Sequence, residues 1–203
     1  MISQYLDELF PEPKCELLYH TDYELLIAIV LSAQSTDKRV NMVTPFLFKK
    51  YPTLNDLATA PIIELEALLK PIGSYHKKAQ YVQQIASLLV SNYQGKVPTN
   101  RKLLEQFPGV GRKTVNVFLS EFYQFPAFAV DTHVERLSKR LQLAKKDDTV
   151  VEVETKLKRV FPKERWARTH LQLVLFGRYY CKAIKPACET CKLKEICTYY
   201  HNK

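Results

Sequence analysis

The chain has 203 residues, 46% of them hydrophobic: enough for one large or two small domains with a real core, and too apolar for a disordered tail. Five glycines against 12 tyrosines and 10 phenylalanines argue against a turn-rich β fold. Lysine and arginine (30) outnumber the 21 acids unevenly: residues 1–60 carry 5 basic and 8 acidic side chains, residues 61–203 carry 25 and 13. The basic excess after residue 60 fits an anionic polymer as partner, and equally a generally basic protein.

In chain order, the opening MISQYLDELFPEPK is acidic and lacks the positive region of a signal peptide. The longest apolar run, Leu25–Leu31, is too short to span a bilayer, so a cytoplasmic chain without membrane contact is expected. Thr21 with Glu24 three residues on predicts a capping box and a helix ending near Ser32–Gln34. It is apolar all round and therefore buried. A second helix is predicted from Thr36–Asp37 to Lys50, and short helices between Pro52, Pro61 and Pro71. The stretch PIGSYHKKA is expected to turn at Gly73 into a helix from His76 to Asn92. Thr99 is the expected cap of a short helix through Gln106, and after a turn at Pro108–Gly111 another helix runs to Phe122. An extended FPAFAVD follows, then a helix capped by Asp131 or Thr132 and ending near Leu141. A capping box at Thr149 and Glu152 opens a helix to Phe161, and a last long helix is predicted from Glu164 to Tyr180. Period-2 alternation is scarce, so the fold class is all-α, with roughly ten helices.

Cys181, Cys188, Cys191 and Cys197 form C-x6-C-x2-C-x5-C. Four of the chain's five cysteines within 17 residues point to a metal or cluster site, since disulfides are rare in the cytosol. Thiolates suit zinc or an iron–sulfur cluster; zinc more often uses two C-x2-C pairs, and the ferredoxin run C-x2-C-x2-C-x3-C-P is absent.

The stretch FPGVGRKTV, Phe107–Val115, is not a P-loop: Gln106 stands where the first glycine is needed and Arg112 where the lysine is needed. It fails the G-x-G-x-x-G pattern at Thr114, and no strand precedes it. What remains is helix, turn, helix, with Gly109 and Gly111 leaving amides open to an anion and Arg112 and Lys113 adding charge. A phosphate of a nucleic-acid backbone suits this site; a solvated basic corner is the plainer reading. Lys113 in the first turn meets a field that disfavours an ammonium and favours the nucleophilic amine. Asp131 at its own helix start can accept backbone N–H bonds, as a plain N-cap also would.

Together, LSAQSTD (31–37), FPGVGRKTV (107–115), VDTHVERLSKR (130–140) and the cysteine pattern (181–197) closely resemble the endonuclease III family, helix-hairpin-helix DNA glycosylases and apurinic/apyrimidinic lyases acting on oxidised pyrimidines. The likeness runs from about Asp22 to Cys197. It implies two helical domains with a cleft between them: a six-helix barrel over residues 15–125, containing the hairpin at about 101–120, and a cluster domain of residues 1–14 plus 126–203 with a [4Fe–4S] cluster on the four cysteines. It implies a monomer acting on damaged double-stranded DNA in the cytoplasm, at the nucleoid, with DNA crossing the cleft. Lys113 is then the Schiff-base nucleophile and Asp131 its carboxylate partner. Gln34 matches the glutamine that fills the gap left by a flipped nucleotide, and His133 a position near the DNA backbone. Lys77 and Lys78, with the amides of Gly109, Val110 and Gly111 and the side chain of Arg112, are further expected DNA contacts.

The chain departs from the family at Ser74, where relatives often place a wedging leucine; serine is a weak wedge. Rival readings are an adenine or mismatch-specific monofunctional glycosylase of the same superfamily, which would lack Lys113, a non-catalytic helix-hairpin-helix DNA binder, and a redox carrier, which leaves the hairpin unexplained.

Overall fold

The structure, a computed structural model, describes residues 1–202. Among them are twelve α-helices and no strand. The chain divides into two compact units: Glu16–Phe122, continuous in sequence, and Met1–Cys15 joined by the residues from Tyr123 onward.

The continuous unit holds α2 (Asp22–Leu31), α3 (Asp37–Lys50), α4 (Leu54–Thr59), α5 (Ile62–Leu69), α6 (Tyr75–Tyr93), α7 (Arg101–Leu104) and nearly all of α8 (Arg112–Tyr123). Every residue of α2 from Glu24 to Leu31 is buried, as an all-round apolar helix requires. The long α6 packs against α2, α4 and α5. Its inner face is spaced three to four residues apart: Lys78, Val82, Ile85 and Leu89.

The local signals largely decide the helix starts. Thr21 and Thr36 accept amide bonds from Glu24 and Arg39, and Thr53–Asp56 and Thr149–Glu152 close reciprocal capping boxes. Three expectations are corrected. At Thr21 the box is half made: the Glu24 carboxylate accepts from the amide of His20, one residue further back, at 2.6 Å. The cap of α7 is Asn100, whose Oδ1 accepts from Lys102 and Leu103, and not Thr99; the side chain nearer the first free amides wins. The turn before α6 is made by Ser74 in a left-handed conformation (φ 56°), not by Gly73.

The other unit contains α1 (Ile2–Leu9), α9 (Thr132–Arg140), α10 (Val150–Val160), α11 (Trp166–Tyr179) and α12 (Thr198–His201). α1 and α12 were not expected, and the predicted last helix splits into a 3-10 turn at Lys163–Arg165 followed by α11. One core of Leu6, Phe128, Val134, Leu137, Leu157, Leu173 and Phe176 joins α1, α9, α10 and α11. α1 is fixed by Asp7, whose carboxylate takes Arg165 Nη2 at 2.7 Å, Gln172 Nε2 at 2.9 Å and Arg168 Nη2 at 3.1 Å.

The hydrogen bond from Arg165, then that from Gln172, hold the Asp7 carboxyl at a pKa of about 2, below its ordinary 3.8. A depressed carboxyl stabilises the fold above its unfolded pKa, and the contribution fades as pH falls toward the folded value. We expect the melting temperatures of wild type and Asp7→Asn to differ at pH 6 and to converge between about pH 4 and pH 2, read by circular dichroism. A constant difference across that range would remove Asp7 from the acid response. No helix is long and apolar enough to cross a membrane among the described residues.

Candidate active site and cysteine pocket

The hairpin is braced from below. Arg101 on α7 donates to Asn116 Oδ1 on α8, and Phe107 is buried against the ring of Tyr93. Val110 is buried and its amide donates to Phe107 O at 3.0 Å, so this amide is spent on the turn and is not open to a ligand. Gly109 has φ +75°, and a Cβ there would lie 2.7 Å from the ring of Tyr81 on α6 and 3.0 Å from Val30 on α2. Only glycine meets both demands.

Gly111 is different. It is exposed, and nothing lies within 4 Å of where its Cβ would be. It precedes α8 and accepts the first helical bond, from Val115 N, but has no side chain to cap the helix. The amides of Lys113 and Thr114 in the first turn therefore find no acceptor among the described residues. α2, α3, α4, α9 and α10 are capped by a Thr or Asp oxygen; the residue before α8 is Gly111, which has no side chain, and the exposed side chains of Arg112 and Lys113 follow it. An anion fits such an end. Lys113 makes no ion pair or hydrogen bond through its ammonium among the described residues.

Gln34 is exposed, with φ 54°, in the turn after α2. Lys77 and Lys78 separate. Lys77 is exposed, its ammonium 5.6 Å from the Tyr81 ring centre. Lys78 is only 4% exposed, donates from Nζ to Ser35 Oγ at 3.0 Å, and does not present its charge to a phosphate as expected; the helix period turns it inward with Val82.

In the other unit, Asp131 is the N-cap of α9. Its Oδ1 accepts from His133 N at 2.9 Å and Val134 N at 2.8 Å, and Oδ2 takes no hydrogen bond among the described residues. His133 is half-buried: its Nδ1 lies 3.3 Å from Arg136 Nη2, and a Cβ on Gly177 would come within 2.8 Å of its own.

The four cysteines Cys181, Cys188, Cys191 and Cys197 line one pocket with Tyr5, Leu141, Phe176 and Tyr180. Among the described residues, no three metal-binding side chains converge as ligands of one ion do. Burial pushes the Cys181 thiol up, against the opposing pull of the Arg140 guanidinium, whose Nη1 donates to its sulfur at 3.2 Å. Burial also pushes Cys191 up.

Two arginines of α9 were missed by the sequence reading. Arg136 donates to the carbonyls of Gly177 and Cys181, and Arg140 to those of Lys182 and Ala183 while lying 3.9 Å over the ring of Tyr199. Their four-residue spacing puts them on one face. Their partners are more than 40 positions away, so no local signal marks them.

Residues 27–163 match the family model of the HhH-GPD superfamily base excision DNA repair proteins. Endonuclease III of Bacillus subtilis is 46% identical, over 95% of this chain and 88% of its own length. Endonuclease III of Escherichia coli K12 is 41% identical, over 96% and 92%. The solved structure of a trapped endonuclease III–DNA covalent intermediate superposes with a TM-score of 0.95 at 47% identity, covering 98% of this chain and 93% of that one. A thermostable thymine-DNA glycosylase is more distant, with a TM-score of 0.79 at 26% identity over 91% of this chain and 87% of that one.

Proposed function

Because the chain belongs to the endonuclease III family of the HhH-GPD superfamily of base excision DNA repair proteins, we propose that it removes oxidised pyrimidines from duplex DNA and cuts the strand 3′ to the abasic site, as a monomer on nucleoid DNA. The observation that carries this reading is Lys113: exposed, without a partner for its ammonium among the described residues, in the first turn of a helix that begins after a glycine. A monofunctional relative has no use for such an amine.

In this reading the amides of Gly111, Lys113 and Thr114 hold a DNA phosphate, with the Arg112 charge beside it. The damaged nucleotide leaves the stack, because its C1′ cannot be reached inside a duplex. The neutral Lys113 Nζ attacks C1′, the glycosidic C1′–N bond breaks, and the base departs with a proton. The sugar ring opens to an iminium linking Lys113 and C1′. A proton leaves the acidified C2′, the C3′–O bond breaks, and water releases the lysine. The Asp131 carboxylate stabilises positive charge developing on the sugar and relays protons. In the family's architecture the continuous unit is the barrel domain and the other unit the cluster domain.

The cysteine pocket suits a [4Fe–4S] cluster. All four thiols line one largely apolar pocket, and their spacing has a single C-x2-C pair where zinc sites more often use two. Cys181, Cys188, Cys191 and Cys197 would be its ligands, and Arg140 would offset the charge of the bound thiolates. Such a cluster would supply cross-links within the cysteine unit. Purified protein should contain about four iron and about four acid-labile sulfide per chain; stoichiometric zinc without iron would refute the cluster.

Borohydride reduction on DNA holding an oxidised pyrimidine should leave protein and DNA covalently joined. The two hairpin glycines should part company. Gly111→Ala should melt like wild type yet bind duplex DNA about tenfold more weakly, because a methyl enters the phosphate's space. Gly109→Ala should lose about 1–3 kcal/mol of stability through strain and the clash with Tyr81. Equal DNA affinity for Gly111→Ala and wild type would move the phosphate site away from the turn.

A further inference from the structure

A buried lysine normally has a carboxylate partner, because an ammonium stripped of water is costly. Lys78 has none among the described residues. It is 4% exposed, its Nζ donates to the neutral hydroxyl of Ser35, and burial alone pushes its pKa down. A methionine on this inner face of α6 would pack beside Val82 without that cost. The ammonium is explained by what it connects.

It connects two turns of the continuous unit. The Lys78 amide donates to Ser74 O at 3.1 Å, in the turn before α6. Its side chain crosses to Ser35, in the turn after α2. The turns also lie close together: a Cβ added at Gly73 would lie 3.8 Å from the carbonyl oxygen of Gln34. Each carries an exposed non-glycine residue held left-handed, Gln34 at φ 54° and Ser74 at φ 56°. Such strain persists only where the surroundings over-determine it, and it concentrates at working sites.

We propose that Lys78 is a positioning residue for base extrusion: by tying Ser35 to the start of α6 it makes Gln34 and Ser74 one rigid edge, which holds the duplex gap open while the damaged nucleotide is out. The proposal rests on the DNA reading above. It also accounts for the small side chain at 74. A short polar wedge contributes little by bulk, so its fixed placement beside Gln34 carries the effect.

Lys78→Met keeps the stem and removes the donor; Ser35→Ala removes the acceptor and carries the test if the first variant folds poorly. Two single-turnover rates are compared: excision of an oxidised pyrimidine from duplex DNA, which needs extrusion, and β-elimination at an abasic site in single-stranded DNA, which does not. For both variants the duplex rate should fall about tenfold while the single-strand rate holds. The rise in fluorescence of 2-aminopurine placed opposite the lesion should shrink in parallel. The double variant should be no slower than Lys78→Met, since the two residues act as one link. A fall of both rates together, or of neither, would reduce Lys78 to packing and overturn the proposal. Wild type inactive on both substrates would overturn the DNA reading itself, and this one with it.

Discussion

Lys113→Ala should melt like wild type and trap no DNA. The residue is exposed, has no partner among the described residues and lies in the first turn of α8, where alanine is a strong helix former, so the change in stability should stay within about 0.5 kcal/mol. The chemistry has no such tolerance. Without Nζ no iminium forms, and strand cleavage should drop by at least about 10³-fold. Lys113→Arg sharpens the point. The guanidinium keeps the positive charge beside the phosphate but does not shed a proton, so binding should survive and trapping should not. Trapping by Lys113→Ala at the wild-type level would place the nucleophile elsewhere.

Asp131→Asn should stay folded and lose about 10²–10⁴-fold in base excision. Asp131 is both the cap of α9 and the proposed carboxylate, and the substitution separates these roles. Both cap bonds fall on Oδ1, which an asparagine amide oxygen reproduces; asparagine and aspartate cap about equally well. What disappears is the charge, with about 0.3–1 kcal/mol of helix-dipole attraction. Asp131→Ala removes the cap as well and should cost about a further 1 kcal/mol of stability. Melting curves and excision rates on the three proteins distinguish the roles: an asparagine variant turning over at the wild-type rate would leave Asp131 as a cap and nothing more.

What could be read from the chain without coordinates was what acts over a few residues. Thr21, Thr36, Asp131 and Thr149 announce helix starts because each oxygen bonds an amide two or three positions on. The buried α2 is legible because its apolar side chains leave no polar face. α1 was not legible: eight residues are too few to hold a helix by propensity, and the Asp7 pairing that secures it lies 158 positions away. Arg136 and Arg140 look like a basic helix face until the cysteine loop is folded against them. Lys78 was within reach, since it falls four positions before Val82 and seven before Ile85 on the apolar side of α6. The run of three basic residues at His76, Lys77 and Lys78 concealed it.

The tether of α1 also sets an order for synthesis. On the ribosome α1 emerges before its partners: Arg165, Gln172 and the Lys192 that pairs with Glu8 follow 158 to 184 residues later. At about 5–20 residues per second, the segment waits roughly ten seconds or more without its partners. Meanwhile the Glu16–Phe122 unit, continuous in sequence, emerges whole and can close around α2 and α6. The cysteine unit must instead be sewn together from both flanks, a closure of high contact order and therefore slow. Its four thiols leave the ribosome after the whole of the continuous unit, so any cluster joins a nascent enzyme whose other half has already had time to fold.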